Sequence, residues 1–195
     1  MGSEMCIRDS PYGALYSGIQ RANIVLRYID QIPASGITEE DRSMIKGEAL
    51  FLRGYQYFLL VNNYKEVPLR LIPSNEDETN KAAATEAALW AQVEEDLDNA
   101  IKCNLPVERS TAKERITKGA AIAMLGKVYA TQHKYPEAKQ LLGTLLKAPY
   151  SYELMDNFEK NFTNEEEFNK ESVFELAYSP DGDLSLIHIS EPTRP

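Results

Sequence analysis

The sequence predicts a mainly α-helical fold of tetratricopeptide-like antiparallel helix pairs, and three observations support this prediction. Apolar residues recur every three to four positions along several segments of the 195-residue chain. Threonine caps, prolines and glycines bound these segments, as is usual at the ends of helices. Two of the helices also share a Gly-x-x-Tyr spacing, which is typical of closely packed helical repeats.

Five helices are expected in chain order, over about residues 12–30, 38–63, 86–102, 118–132 and from 135 to a point before Pro149. Thr38, Thr85 and Thr117 stand where a hydroxyl can cap the second, third and fourth helices. Pro136 suits the first turn of the fifth helix. Residues 49–61 are apolar on nearly all sides, so we expect several neighbours to bury the middle of the second helix.

The segments between and after the helices read differently. Residues 64–84 form a long loop with an acidic stretch, which we interpret as a solvated turn, and residues 104–116 form a polar loop. The pattern becomes irregular after Tyr150. Residues 173–178, Val-Phe-Glu-Leu-Ala-Tyr, predict one short strand near the C-terminal end.

A repeat signature spans the fourth and fifth helices. The pattern W-x2-L-G-x2-Y is matched with isoleucine in place of tryptophan, and a small and an apolar residue follow at the expected spacing; the residues are Ile122, Leu125, Gly126, Tyr129, Ala138 and Leu142. Gly126 and Ala138 lack bulk and therefore let two helices approach closely. Gly54 and Tyr57 repeat the spacing on the second helix, which favours a degenerate repeat with the third. Any antiparallel helix pair with small residues at its crossing could give the same signature.

The two ends of the sequence are related at the level of codons. Back-translated, residues 1–10 and 184–194 fit DNA strings that are reverse complements over most of their length, as in a transposase-type sequencing adapter. We therefore expect residues 1–10 and 184–195 to be adapter-derived and non-native. Residues 11–183 are then part of a longer helical protein, with Cys103 and His133 as the remaining cysteine and histidine.

Composition and motifs argue against several classes of function. A formal net charge of −9 disfavours nucleic-acid binding, and two cysteines and two histidines offer little material for a metal site or a histidine-based triad. Glu94, Glu95, Asp96 and Asp98 spread around the third helix, so we expect a solvated face rather than a metal or acid–base site. Glu48 and Arg53 lie within the apolar second helix. We expect each to anchor a neighbouring loop and to need a partner elsewhere.

The order of segments along the chain adds a resemblance. Seven segments carry it, at residues 19–26, 47–58, 63–69, 90–100, 117–121, 134–138 and 171–176. This succession resembles the SusD/RagB family of outer-membrane nutrient-binding lipoproteins over about residues 11–183. Lys65 departs from the glycine usual in the family's Tyr-Gly-x-x-Pro turn.

The resemblance implies a surface-exposed lipoprotein of the outer membrane with a SusD-like α-α superhelix. Such a protein binds an oligosaccharide or another nutrient polymer and delivers it to a SusC-like, TonB-dependent β-barrel transporter. It has no catalytic residues, cofactor or metal, and its lipid anchor lies before the present sequence. Most ligand-binding residues are expected beyond Asp183. The candidate within the sequence is Tyr64, the best exposed aromatic residue at the loop edge.

Two other functions remain open at this point. The helix pairs also suit an intracellular tetratricopeptide-type scaffold that binds peptide segments in a helical groove. A helical glycoside-processing enzyme would need a pair of carboxyl groups flanking a cleft, and the sequence singles out no such pair.

Overall fold

A computed structural model of the chain describes residues 3–74 and 80–175. Its helices are α1 Ser3–Tyr28, α2 Glu39–Tyr64, α3 Glu86–Lys102, α4 Lys118–Thr131 and α5 Tyr135–Leu142. Short 3-10 turns lie at Ile29–Gln31, Phe158–Phe162 and Asn164–Glu166. The predicted mainly α fold is confirmed. Helix α1 begins earlier than predicted and continues through Pro11, which removes one backbone hydrogen-bond donor from it.

The three predicted threonine caps are present. The hydroxyl of Thr38 accepts a hydrogen bond from the Asp41 amide, and Thr85 and Thr117 cap α3 and α4 in the same way. Each cap satisfies a first-turn N–H group that has no partner within the helix. The starts of these helices are therefore set by local sequence.

Consecutive helices pack against each other and run antiparallel. The first half of α1 lies beside the end of α2, since the rings of Tyr12 and Tyr64 are 5.1 Å apart. The end of α2 in turn meets the start of α3, where the rings of Phe58 and Trp90 are 6.0 Å apart. A turn at residues 132–134 then reverses the chain between α4 and α5.

Helix α2 forms the centre of the core. The side chains of Phe51, Tyr57, Leu60 and Val61 are essentially inaccessible to solvent, because α1, α3 and the loop after α2 cover them. This confirms the prediction that several neighbours bury the apolar stretch at residues 49–61.

Glycines allow the close contacts between the helices. A Cβ atom on Gly126 would overlap the side chain of Leu142, so α4 and α5 meet where the repeat signature predicts. Gly54 plays the same role between α2 and α3, where a Cβ would lie 3.1 Å from Cγ of Leu97. Ala138 is buried beside the α4–α5 contact. The two Gly-x-x-Tyr segments therefore occupy equivalent positions in two successive helix pairs.

The C-terminal part confirms one prediction and corrects another. Helix α5 ends at Leu142, before Pro149 as predicted, and residues 144–147 continue as turns in which amides bond to carbonyls three residues back. Residues 173–175 of the predicted strand are not in a strand, and residues 176–178 lie outside the described residues. A strand needs a partner strand to pair its backbone groups, and no named strand occurs in the described ranges.

Candidate functional site

A buried ion pair joins α2 to α3 at the centre of the molecule. Arg53 donates to both carboxylate oxygens of Asp96, with Nε–Oδ2 and Nη2–Oδ1 distances of 2.8 and 2.6 Å. The Asp96 side chain is 1% exposed and the Arg53 side chain 10%. A bidentate pair of this kind offsets the cost of removing two charges from water. The expectation that Arg53 needs a partner elsewhere in the chain is confirmed.

The same cluster fixes the loop that follows α2. The amide of Asn23 on α1 donates to the carbonyls of Arg70 and Ile72 at 3.0 and 3.2 Å, and Arg53 donates to its side-chain oxygen at 2.9 Å. Arg53 also reaches the carbonyl of Leu71 at 3.4 Å. Buried side chains of α1 and α2 thus hold residues 70–72, and Asp96 of α3 holds Arg53 in place.

Two tyrosines extend this clamp on the loop. The hydroxyl of Tyr16 donates to the Pro68 carbonyl at 2.6 Å, and that of Tyr57 donates to the Arg70 carbonyl at 2.8 Å. The Tyr57 hydroxyl also accepts from the Arg70 amide at 2.7 Å. Burial raises the pKa of both tyrosines well above the ordinary value of 10.0, so both stay neutral donors over the physiological range.

Glu48 has the anchoring role expected for it. Its two carboxylate oxygens accept from Arg109 at 2.5 Å and from Arg115 at 2.7 Å. Arg109 also donates to the Ile116 carbonyl at 3.2 Å. Glu48 therefore ties the polar loop between α3 and α4 to the middle of α2.

The prediction that the acidic residues of α3 form one solvated face is wrong for Asp96. Glu95 is exposed and Asp98 pairs with Lys102 near the surface, but Asp96 is buried. Asp96 lies three residues after Val93 and one before Leu97, so it falls on the apolar stripe of the helix. Arg53 in an apolar helix was the signal that a buried acid had to exist. No group of three potential metal ligands occurs in the described ranges.

Tyr64, the candidate chosen from the sequence, is the last residue of α2 and is half-buried. Its ring meets that of Tyr12 edge to face, with the planes inclined by 82°. Lys65 follows it with a positive φ of 65°, in the turn where the family usually has glycine. The turn is therefore formed despite the departure.

Sequence reasoning missed a cleft between the loop before α4 and the segments at residues 149–152 and 168–175. Its volume is about 310 Å³, and its lining includes Tyr150, Tyr152, Arg109 and Asn169. The two tyrosine rings stack at 6.1 Å with planes inclined by 12°. Flat aromatic rings beside a few polar groups are the usual lining of ligand pockets. Neither tyrosine belongs to a regular helix, so helical periodicity gave no signal for them.

A shallower depression lies between α3 and the α4–α5 turn. Trp90, half-buried, forms part of its wall, and Glu86, Glu94, Gln132 and Lys134 surround it. The carboxylate of Glu86 accepts from the indole N–H at 3.2 Å. Hydrogen bonds from Trp90 and then from Lys65 lower the pKa of Glu86, which is therefore ionised at neutral pH.

None of the described helices combines the length and the hydropathy that crossing a bilayer requires.

Known proteins share the sequence pattern and the fold of this chain. Residues 8–130 match a SusD-like family described as "Starch-binding associating with outer membrane". A SusD superfamily protein from Bacteroides vulgatus ATCC 8482 is similar, with 35% identity and a TM-score of 0.76, over 83% of this chain and 34% of that chain. No curated protein sequence matches.

Two further similar structures belong to proteins whose names state that they bind glycans. A "Laminarin binding SusD-like protein" has 34% identity and a TM-score of 0.80, over 87% of this chain and 38% of that one. Surface glycan-binding protein A from Bacteroides uniformis has 26% identity and a TM-score of 0.77, with the same two coverages. The chain thus spans little more than a third of the length of these relatives.

Proposed function

This chain belongs to the SusD-like family, and we propose that the protein containing it binds an oligosaccharide or another nutrient polymer without covalent chemistry. The observation that carries the proposal is the match to a laminarin-binding relative at 34% identity over 87% of this chain. The proposed mechanism is capture followed by release, so binding energy comes from surface complementarity and not from a reacting group.

The described residues support this proposal because they form a rigid frame around the loop after α2. Sugar recognition relies on aromatic platforms and hydrogen-bonding groups held in place before the ligand arrives, because ordering them on binding would cost affinity. The Arg53–Asp96 pair and the tyrosine clamp hold the loop after α2 in this way. Most direct ligand contacts are proposed to lie beyond Asp183. Tyr64 remains a candidate contact at the edge of the held loop.

Binding to polysaccharides tests the proposal directly. The complete protein is run through native gels that contain laminarin, starch or another neutral polysaccharide, with serum albumin as the control. We expect one or more polymers to retard the complete protein, and prolonged incubation to release no new reducing ends. Unchanged mobility across a broad polymer panel, or steady release of reducing ends, would contradict the proposal.

We further propose that the complete protein is a lipoprotein on the surface of the outer membrane and hands its ligand to a TonB-dependent β-barrel transporter of the SusC type. The family description, which mentions association with the outer membrane, supports this placement. Detergent extracts of the outer membrane test it. We expect the tagged complete protein to copurify with one barrel protein of this class, and its recovery from the cytosolic fraction would contradict it.

The alternative of a tetratricopeptide-type scaffold for proteins has a structural basis in the paired helices around Gly54 and Gly126. The same gels separate the two functions. A scaffold for peptide segments would ignore every polysaccharide and would bind extended peptides instead.

A further inference from the structure

The depression beside Trp90 has the parts of a small binding site. Its volume is about 560 Å³, and it opens between α3 and the turn that joins α4 to α5. Ala87 and Ala91 line it with methyl groups only, and both are exposed. Small neighbours on the same helix face leave a planar molecule room to approach the exposed part of the indole ring.

The indole ring is held in a fixed orientation. Its N–H donates to Glu86, one helical turn earlier, at 3.2 Å, and Lys65 donates to the same carboxylate oxygen at 3.1 Å. From the core side the ring packs against Phe58 at an interplanar angle of 66°. A ring fixed in this way can form a stacking contact without losing further side-chain freedom.

The two carboxylates at the rim of the depression are each paired with a lysine. Glu94 accepts from Gln132 at 2.6 Å and from Lys134 at 2.5 Å through one oxygen. Glu86 is paired with Lys65, so each carboxylate at the rim has a lysine beside it. Such a rim offers hydrogen-bond donors and acceptors but no field that would select an anion or a cation.

We propose that this depression is a subsite for one neutral sugar residue, which stacks on the Trp90 indole and forms hydrogen bonds with the Glu94, Gln132 and Lys134 side chains. Sugar rings present C–H groups on their faces and hydroxyls at their edges, which matches an aromatic wall with a mixed polar rim. The inference rests on the proposed function and names a contact surface on the described helices for it.

The 195-residue chain provides its own probe, because Trp90 is its single tryptophan. Neutral glucan oligosaccharides from laminarin and from starch are titrated into it, and tryptophan emission is recorded. We expect at least one series to give a saturable change in intensity or wavelength. Ala91→Arg fills the depression with a side chain on an exposed position and is expected to weaken that response at least tenfold.

A matched control lies one turn further along the same helix. Glu95→Arg introduces the same side chain at an exposed position outside the lining, and it is expected to respond as the unchanged chain does. Circular dichroism establishes that both variants keep the helical content. The subsite is overturned if the emission stays constant up to the solubility limit of every oligosaccharide. It is also overturned if the Ala91→Arg response equals that of Glu95→Arg. Retardation of the complete protein in polysaccharide gels would still stand in that case, so the two failures are distinguishable.

Discussion

At the scale of single residues, the charges inside the helical core determine how the loop after α2 is placed. Arg53 alone would be an uncompensated buried cation, and Asp96 and Asn23 convert it into a hub with four hydrogen bonds to side chains and backbone. The hub connects α1, α2, α3 and residues 70–72. Its stability contribution therefore depends on every partner being present.

We predict that Asp96→Asn lowers the free energy of unfolding by about 3–5 kcal/mol, because it leaves the buried Arg53 guanidinium without its counter-charge. Urea denaturation followed by circular dichroism measures the change. Asp98→Asn is the matched control on the same helix, since its partner Lys102 is largely exposed and such pairs contribute less than about 1 kcal/mol. Equal losses in the two variants would mean that the buried ion pair contributes no more to stability than the exposed one.

Sequence patterns determined one half of this pair and missed the other. Arg53 stands out because it interrupts an apolar helix, and a buried arginine needs a partner. Asp96 did not stand out because Glu94, Glu95 and Asp98 surround it in the sequence and suggest a solvated face. Helical spacing places Asp96 on the apolar stripe beside Leu97, but only the packing of α2 against α3 identifies it as the partner of Arg53, and a single sequence does not contain that contact.

At the scale of the elements, the sequence places the starts of α2, α3 and α4 more sharply than the start of α1 or the end of α5. Thr38, Thr85 and Thr117 mark the starts through a local hydrogen bond, which the sequence displays directly. The end of α5 depends on tighter turns after Leu142, where Gly143 lies close to the Lys139 carbonyl. No proline or polar cluster stands at that point, so the sequence bounds the end of α5 only by Pro149.

Two glycine-to-alanine substitutions, one in α1 and one in α2, are predicted to change the stability of the protein in opposite directions. Gly47→Ala would place a Cβ 2.8 Å from the Cβ of Cys103 and 3.1 Å from Cγ of Leu105, atoms whose positions the backbone largely fixes. We expect it to destabilise the protein by about 1–3 kcal/mol through overpacking. Gly13→Ala, with nothing within 4 Å, should instead stabilise α1 by roughly 0.5–1 kcal/mol, because alanine favours helix.

Thermal and urea unfolding of the two alanine variants against the unchanged chain measure this difference. Both substitutions add one methyl group to a helix, so helix propensity is matched and only the surroundings differ. A stabilised Gly47→Ala variant would mean that α2 does not meet the end of α3 as closely as the structure shows.

At the scale of the whole molecule, the described helices form a well-packed frame next to an open C-terminal segment. The exposed fractions of Leu146, Leu154, Phe158 and Phe162 all exceed 70%, whereas α2 is buried from several sides. The family and the mainly α fold could be predicted from the sequence because they depend on repeated local patterns. The tyrosine cleft and the Trp90 depression could not be located in the same way, because each is formed by segments distant in sequence.

The tyrosines also predict how stability of the whole chain responds to alkali. Burial raises the pKa of five of them above the ordinary value, namely Tyr16, Tyr57, Tyr129, Tyr150 and Tyr152. As the pH rises past 10, the unfolded chain releases these protons first, and the folded chain holds them to a higher pH, most strongly at Tyr16 and Tyr57. The folded state then binds more protons than the unfolded state, so the free energy of unfolding must fall as the pH rises.

We therefore expect full stability from these groups below pH 10 and a progressive loss between pH 10 and 12, with each retained proton contributing up to roughly 1.4 kcal/mol per pH unit. Urea midpoints at half-unit steps of pH measure the slope, and absorbance at 295 nm counts the ionised tyrosines.

Tyr57→Phe removes one buried hydroxyl and should make the slope shallower, while Tyr28→Phe, at an exposed position, should leave it unchanged. Because all other titratable groups are the same in the two variants, the difference between their slopes isolates the contribution of Tyr57. Parallel slopes for both would mean that Tyr57 ionises as readily in the folded chain as in the unfolded one.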